Sequence, residues 1–92
     1  MRATHDPVPE GAPKVPRIKD IPGPYRFYFY SFDCNEPKHV HVRREKMLCK
    51  FWLEPVELCS NHGFAAKELT TIRDYIRSHL TKIIEAWNEH CG

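Results

Sequence analysis

The sequence predicts an α+β domain: an antiparallel sheet of three or four strands, with a short helix and one long C-terminal helix packed on one face. Between residues 25 and 53, apolar and polar side chains alternate in short runs, which is the period of a half-buried strand. From residue 65 onwards, apolar residues recur at spacings of three and four, which is the period of one helix face. The change of period after Glu54 therefore separates a sheet from a helix.

The length and composition indicate one small cytoplasmic domain. A chain of 92 residues is near the size at which a single core is only just sufficient without a disulfide, a metal or a partner. We therefore expect a small protein partner or a homodimer. The sequence has neither an apolar run long enough for a membrane span nor a secretory signal. The four cysteines are predicted to be reduced thiols, because nothing marks export.

The chain begins with two proline-rich segments. Residues 1–14 contain three prolines and a glycine among small and polar residues, and we expect a disordered leader before a single domain at residues 15–92. Residues 15–21 form a short extended segment between prolines, which an edge strand tolerates and a central strand does not.

Three strands are predicted next, at residues 25–32, 39–44 and 47–53. Their alternation divides the side chains between an apolar inner face and a basic, aromatic outer face. The inner face collects Phe27, Phe29, Val40, Val42, Cys49, Phe51 and Leu53. The outer face collects Arg26, Tyr28, Tyr30, His39, His41, Arg43, Lys50 and Trp52.

Helices are predicted after the sheet. Pro55 suits a first helical position and Gly63 a left-handed stop, so residues 55–61 are assigned about two helical turns. A long helix follows at residues 65–90 and covers the inner face. Its apolar stripe consists of Leu69, Ile72, Ile76, Leu80, Ile83, Ile84 and Trp87.

The outer face has the composition of a surface that binds single-stranded nucleic acid. Bases stack on flat aromatic rings while Arg and Lys contact the phosphates. Residues 15–53 also carry eight Lys and Arg against four Asp and Glu, whereas residues 54–92 carry four against six. The predicted nucleic-acid-binding residues are Arg26, Tyr28, Tyr30, Arg43, Lys50 and Trp52. The alternative is that a partner chain or a second helix covers these rings.

His39 and His41 are predicted to share the outer face, because they are two residues apart on one strand. Two such imidazoles can act as the general base and the general acid of RNA transesterification, with Arg43 or Lys50 stabilising the transition state. They are the candidate catalytic residues. The alternative is a pair that only makes hydrogen bonds to neighbouring groups, so the sequence leaves open whether the protein is an enzyme.

A metal site is a third role that the sequence allows for the histidine pair. Cys34, Glu36, Cys59 and His62 are the residues that could complete such a site. The pairs do not follow a repeated C-x2-C pattern and lie in separate segments. We therefore predict neither a metal nor a cofactor.

The motif Pro37-Lys38-His39-Val40-His41-Val42, the aromatic run before it and the segment at residues 50–56 resemble a small bacterial domain-of-unknown-function family, number 4160. The resemblance extends from residue 16 to the C-terminus. Members are encoded beside another small protein, in an arrangement similar to toxin–antitoxin pairs, which implies a protein partner and a connection to nucleic acid. Two features depart from the family: the residues before Val15-Pro16, where members typically start, and Ala65, where a serine often caps the long helix.

Together these observations predict a small cytoplasmic module of the toxin–antitoxin type. Its outer face would bind RNA or single-stranded DNA, with metal-independent ribonuclease chemistry at His39 and His41. The alternative function is a protein-interaction or dimerisation module that binds no nucleic acid.

Overall fold

A computed structural model describes residues 17–92, so the predicted leader at residues 1–14 lies outside the described residues. The domain is α+β, as predicted, but its antiparallel sheet has five strands rather than three or four. Each strand pairs with the next one along the chain. The strands are β1 (Arg17–Ile18), β2 (Arg26–Tyr28), β3 (His39–Arg44), β4 (Met47–Leu53) and β5 (Val56–His62).

The additional strand is β5. It occupies the segment at residues 55–61 for which a short helix was predicted, so that prediction is wrong. Val56 pairs with Leu53, and Leu58 pairs with Phe51 across the β4–β5 ladder. Both side chains are half-buried against the core, whereas the residues after Leu58 are exposed. The segment is too short for periodicity alone to distinguish a strand from a helix. The segment is a strand because it forms backbone pairs with β4.

Gly63 connects β5 to the first helix. Its φ of +106° is in the left-handed region, as predicted, although it follows a strand and not a helix. Asn61 closes the turn, because its side-chain oxygen accepts the Phe64 N–H at 3.1 Å and its amide donates to the Phe64 carbonyl at 2.9 Å.

The predicted long helix is divided in two, α1 (Ala66–Ser78) and α2 (Leu80–Cys91). The division falls at His79, whose φ of −119° and ψ of 22° are not helical. Both helices pack on the inner face of the sheet, and their apolar stripe enters the core as predicted. The side chains with no exposed surface include Val40, Val42, Phe51, Ile72, Ile76 and Ile83. Among residues 17–92, no helix is long and apolar enough to cross a membrane.

Two of the four cysteines form a disulfide, which corrects the prediction of reduced thiols. Cys34 lies in a short 3-10 helix (Asp33–Asn35) between β2 and β3, and Cys91 is the last residue of α2. Their Cα atoms are 5.4 Å apart. Cys59 is an exposed thiol, whereas burial raises the pKa of the Cys49 thiol to about 12. The bond joins the β2–β3 loop (residues 29–38) to the end of the chain.

Glu68 joins α1 to the sheet. Its Oε2 atom accepts a hydrogen bond from the Tyr25 hydroxyl at 2.8 Å and one from the Arg44 guanidinium at 2.7 Å. These two bonds, the Tyr25 bond first, lower the pKa of Glu68. A carboxyl group whose pKa is lowered by folding stabilises the protein above its ordinary pKa, and this contribution is lost as the pH falls through the lowered value.

We expect Tyr25→Phe to lower the free energy of unfolding at pH 7, and the difference from wild type to shrink as the pH falls below about 4. Urea unfolding at several pH values measures this. Tyr30→Phe is the matched control, because the hydroxyl it removes interacts with Tyr28 and not with Glu68. A Tyr25→Phe difference that stays constant down to pH 3 would contradict the assignment.

Candidate nucleic-acid interface and buried histidine cluster

Arginines dominate one end of the outer face. Arg26 and Arg43 are direct cross-strand partners on β2 and β3, and both are exposed. Arg17 pairs with Tyr28 and so joins the same face from β1. Within residues 17–92, none of these three arginines forms a salt bridge. Arg43 instead donates its Nε–H to the Glu45 carbonyl at 2.9 Å.

These arginines surround a cleft of about 220 Å³, which we call the arginine cleft. Its lining consists of Arg17, Arg26, Tyr28, Tyr30 and Arg43. A broader depression of about 620 Å³ continues past Arg26 and Arg43 towards Pro24 and Arg44. Neither helix contributes a residue to either surface. Among residues 17–92, nothing covers the outer face on the side of the arginines.

Lys50 and Trp52 lie on β4 at the other end of the outer face. The Lys50 ammonium is 2.6 Å from the Glu36 carboxylate and 4.8 Å from the centre of the Trp52 ring. Its charge is thus partly neutralised within the protein. Of the predicted nucleic-acid-binding cations, Arg26 and Arg43 are the two that form no salt bridge within residues 17–92.

The aromatic rings that are exposed on the outer face are not the same as those predicted to be exposed. Tyr28 is only 7% exposed, because the His41 ring stacks on it with centroids 5.4 Å apart and Tyr30 packs against it edge-on. Burial is also the largest cause that raises the pKa of Tyr28. Tyr28 therefore offers little exposed ring area for stacking, although it lines the arginine cleft, and its role in nucleic-acid binding stays a prediction.

Phe32 is an accessible ring that is absent from the predicted binding residues. It is 57% exposed and stacks almost parallel on Tyr30, with ring centroids 5.3 Å apart. The sequence signal was its place in the predicted strand at residues 25–32, where alternation puts Phe32 on the same face as Tyr28 and Tyr30. The stacked pair lies beside the arginine cleft, because Tyr30 lines that cleft.

The predicted exposure of His39 on the outer face is wrong, because the β2–β3 loop folds over it. His39 has no exposed surface and is enclosed by Trp52 on β4 and Trp87 on α2. Asp33, itself 4% exposed, places one carboxylate oxygen 3.1 Å from His39 Nε2. Its other oxygen is 3.0 Å from His41 Nε2 and accepts the Tyr30 backbone N–H at 2.7 Å.

We call Asp33, His39 and His41 the Asp33 cluster. Only His41 reaches the surface, with 16% of its side chain exposed. Burial lowers its pKa, and the Asp33 carboxylate opposes this in part. His41 is thus the imidazole that a bound ligand can reach, and a reaction that uses both histidines directly would require His39 to become exposed. The catalytic pair stays a prediction.

Within the described residues, none of the four residues considered as completing a metal site groups with the histidine pair. Within the described part of the chain, two groups of at least three metal-ligating side chains lie close enough to share an ion, and neither contains Glu36, Cys59 or His62. One is the Asp33 cluster. The other consists of His90 and the two cysteines of the disulfide.

The fold and the site define a small α+β module: an antiparallel meander with helices on one face and arginines with aromatics on the other. Residues 25–88 match the family model described as Domain of unknown function (DUF4160). The chain belongs to this family, as its histidine motif predicted. No curated protein and no solved structure matches the chain.

Proposed function

We propose that this protein is a small cytoplasmic module that binds RNA or single-stranded DNA through the arginine cleft and the neighbouring aromatic pair. The proposal includes the toxin–antitoxin role that the family resemblance implies. Arg26 and Arg43 receive the phosphates, with Arg17 beside them. Tyr30 and Phe32 provide the surface on which a base stacks.

One observation carries the proposal: two exposed arginines are direct cross-strand partners, and neither has an acidic partner within residues 17–92. Like charges directly opposite each other on neighbouring strands destabilise a sheet. A bound phosphate removes this repulsion and accepts several guanidinium hydrogen bonds. The arrangement costs stability in the free protein and favours an anion, which is typical of a binding surface.

The aromatic pair supplies the second part of the interaction. A base stacked on an aromatic ring contributes about 1–3 kcal/mol to single-strand binding, largely without regard to sequence. The exposed Phe32 ring is held parallel to Tyr30, so its orientation is set before a ligand arrives. Lys50 and Trp52, at the other end of the outer face, extend the proposed path of the bound nucleic-acid strand.

We expect the double variant Arg26→Gln, Arg43→Gln to weaken binding of a fluorescent single-stranded oligonucleotide and to reduce its salt dependence. Each lost phosphate contact lowers the slope of log K against log salt by about 0.7, so the double variant should lose about 1.4. Because the repulsion is removed, its thermal unfolding midpoint should equal or exceed that of wild type. Fluorescence anisotropy and calorimetry measure the two effects.

Arg77→Gln is the matched control, because Arg77 is an exposed arginine on α1, away from the sheet. It should leave both the affinity and the salt slope unchanged. Phe32→Ala should weaken binding about tenfold without changing the slope. Equal losses in the control and the double variant would indicate nonspecific attraction, and no binding at low salt would reject the proposal.

The alternative, a protein-interaction or dimerisation module, is supported by β5. This seven-residue strand lies at the end of the sheet, so within the described residues only β4 pairs with it. A free strand edge is a template for a strand from another chain. A concentration-dependent dimer that binds no oligonucleotide would favour this alternative.

The binding reactions, run on a gel, also report whether RNA is cleaved and whether His41→Ala abolishes the cleavage.

A further inference from the structure

We propose that Asp33, His39 and His41 bind one divalent transition-metal ion, with Zn²⁺ as the ion that best fits the three side chains. This site is independent of the nucleic-acid proposal. The Asp33 carboxylate and the Nε2 atoms of both histidines are its ligands. These atoms lie within 4.8 Å of one another.

The orientation of His39 is the first argument. Its Nδ1 atom lies 2.9 Å from the Pro37 carbonyl oxygen, which can only accept, so Nδ1 carries the proton. In the neutral ring, the lone pair is then on Nε2. A backbone carbonyl that fixes one ring nitrogen in this way is the usual support of a metal-bound histidine.

The contact between His39 and Asp33 is the second argument. Nε2 is fully buried and only 3.1 Å from the Asp33 oxygen, yet no hydrogen bond satisfies it. A proton on Nε2 would not point at that oxygen. Two ligands of one zinc ion, each about 2.0–2.1 Å from the metal, are about 3.3 Å apart, and their lone pairs converge on the ion instead of on each other. The separation of these two atoms fits two ligands of one ion.

His41 completes the set. Its Nε2 atom is 3.0 Å from the second Asp33 oxygen, and when the ion replaces that hydrogen bond the proton of the neutral ring moves from Nε2 to Nδ1, which leaves the Nε2 lone pair for the ion. The Tyr30 N–H holds the carboxylate in place from the backbone. Because His41 alone is partly exposed, the ion enters and a water completes its coordination from that side.

The ligand types select the class of ion. Two imidazoles and one carboxylate suit Zn²⁺ and other transition metals, whereas Ca²⁺ and Mg²⁺ prefer oxygen ligands. The bound ion would fix the β2–β3 loop to β3. That loop carries Phe32 and Glu36, so the ion would also order one side of the proposed interface.

The test is a titration of chelator-treated protein, with its disulfide intact, by Zn²⁺ in a calorimeter and by Co²⁺ in an absorption spectrometer. We expect one ion per chain. Asp33→Asn and His41→Ala should each weaken Zn²⁺ binding about 100-fold or more, since each removes a ligand. His62→Ala and Cys59→Ser are the matched controls, because both residues are exposed on β5, and they should leave the affinity unchanged.

A second measurement needs no variant. In ¹⁵N NMR spectra of the wild-type histidine rings, Zn²⁺ should shift the Nε2 signals of His39 and His41 while His39 Nδ1 stays protonated. An absence of binding, an affinity that Asp33→Asn leaves unchanged, or NMR shifts confined to other histidines would each overturn the proposal. The NMR result decides the question if a variant fails to fold.

Discussion

Replacing Cys34 and Cys91 together by alanine will lower the free energy of unfolding by about 4 kcal/mol. The two cysteines are 57 residues apart in the sequence, so the bond closes a loop that spans most of the domain. In the chain-entropy account, a cross-link stabilises the folded state because it restricts the unfolded chain, and more so for a longer loop. Urea unfolding of the oxidised wild type and of the variant measures the difference.

Three controls accompany this prediction. Cys59→Ala removes an exposed thiol and should leave stability unchanged. The wild type in the presence of a reductant should approach the stability of the double variant. Thiol titration of the unfolded, unreduced protein should find two free cysteines, Cys49 and Cys59. Four free thiols, or equal stability with and without reductant, would contradict the disulfide. The stability measured with reductant is the one that applies at the proposed cytoplasmic location, because thiols are usually reduced there.

The central strands could be predicted because their alternation is determined locally. Val40 and Val42 are flanked by polar residues, and both are fully buried where the period of two placed them. The helical stripe was predicted for the same reason. It did not reveal the division at His79, because Ile76 and Ile83 lie one heptad apart and keep the same face across a local irregularity.

The Asp33 cluster could not be predicted from local pattern. Asp33 is a common turn residue, and nothing in the sequence indicates that its loop folds back over the start of β3. The burial of His39 depends on Trp87, 48 positions later, and on Trp52 in the next strand. Such a set forms only when the loop, the sheet and α2 are assembled. Arg26 and Arg43 needed no such assembly, so their place on the outer face followed from alternation alone.

Asp33→Ala will lower the free energy of unfolding by about 3 kcal/mol in the absence of metal, because it leaves two partly buried N–H groups without an acceptor. The Tyr30 N–H and the His41 N–H both lose their acceptor. The Asp33 side chain is almost completely buried, so the loss of these two hydrogen bonds is costly. Urea unfolding in the presence of a chelator measures the loss.

Asp33→Asn separates the hydrogen bonds from the charge. Its amide oxygen can accept from Tyr30 and His41, and its NH₂ group would lie about 3.1 Å from the His39 lone pair, where Asp33 has an oxygen. We therefore expect its stability without metal to be within about 1 kcal/mol of wild type. Added Zn²⁺ should raise the unfolding midpoint of the wild type and not that of Asp33→Asn, since a ligand that binds only the folded state stabilises it. A loss in Asp33→Asn as large as that in Asp33→Ala would show that the negative charge, and not hydrogen bonding, holds the loop over the histidines.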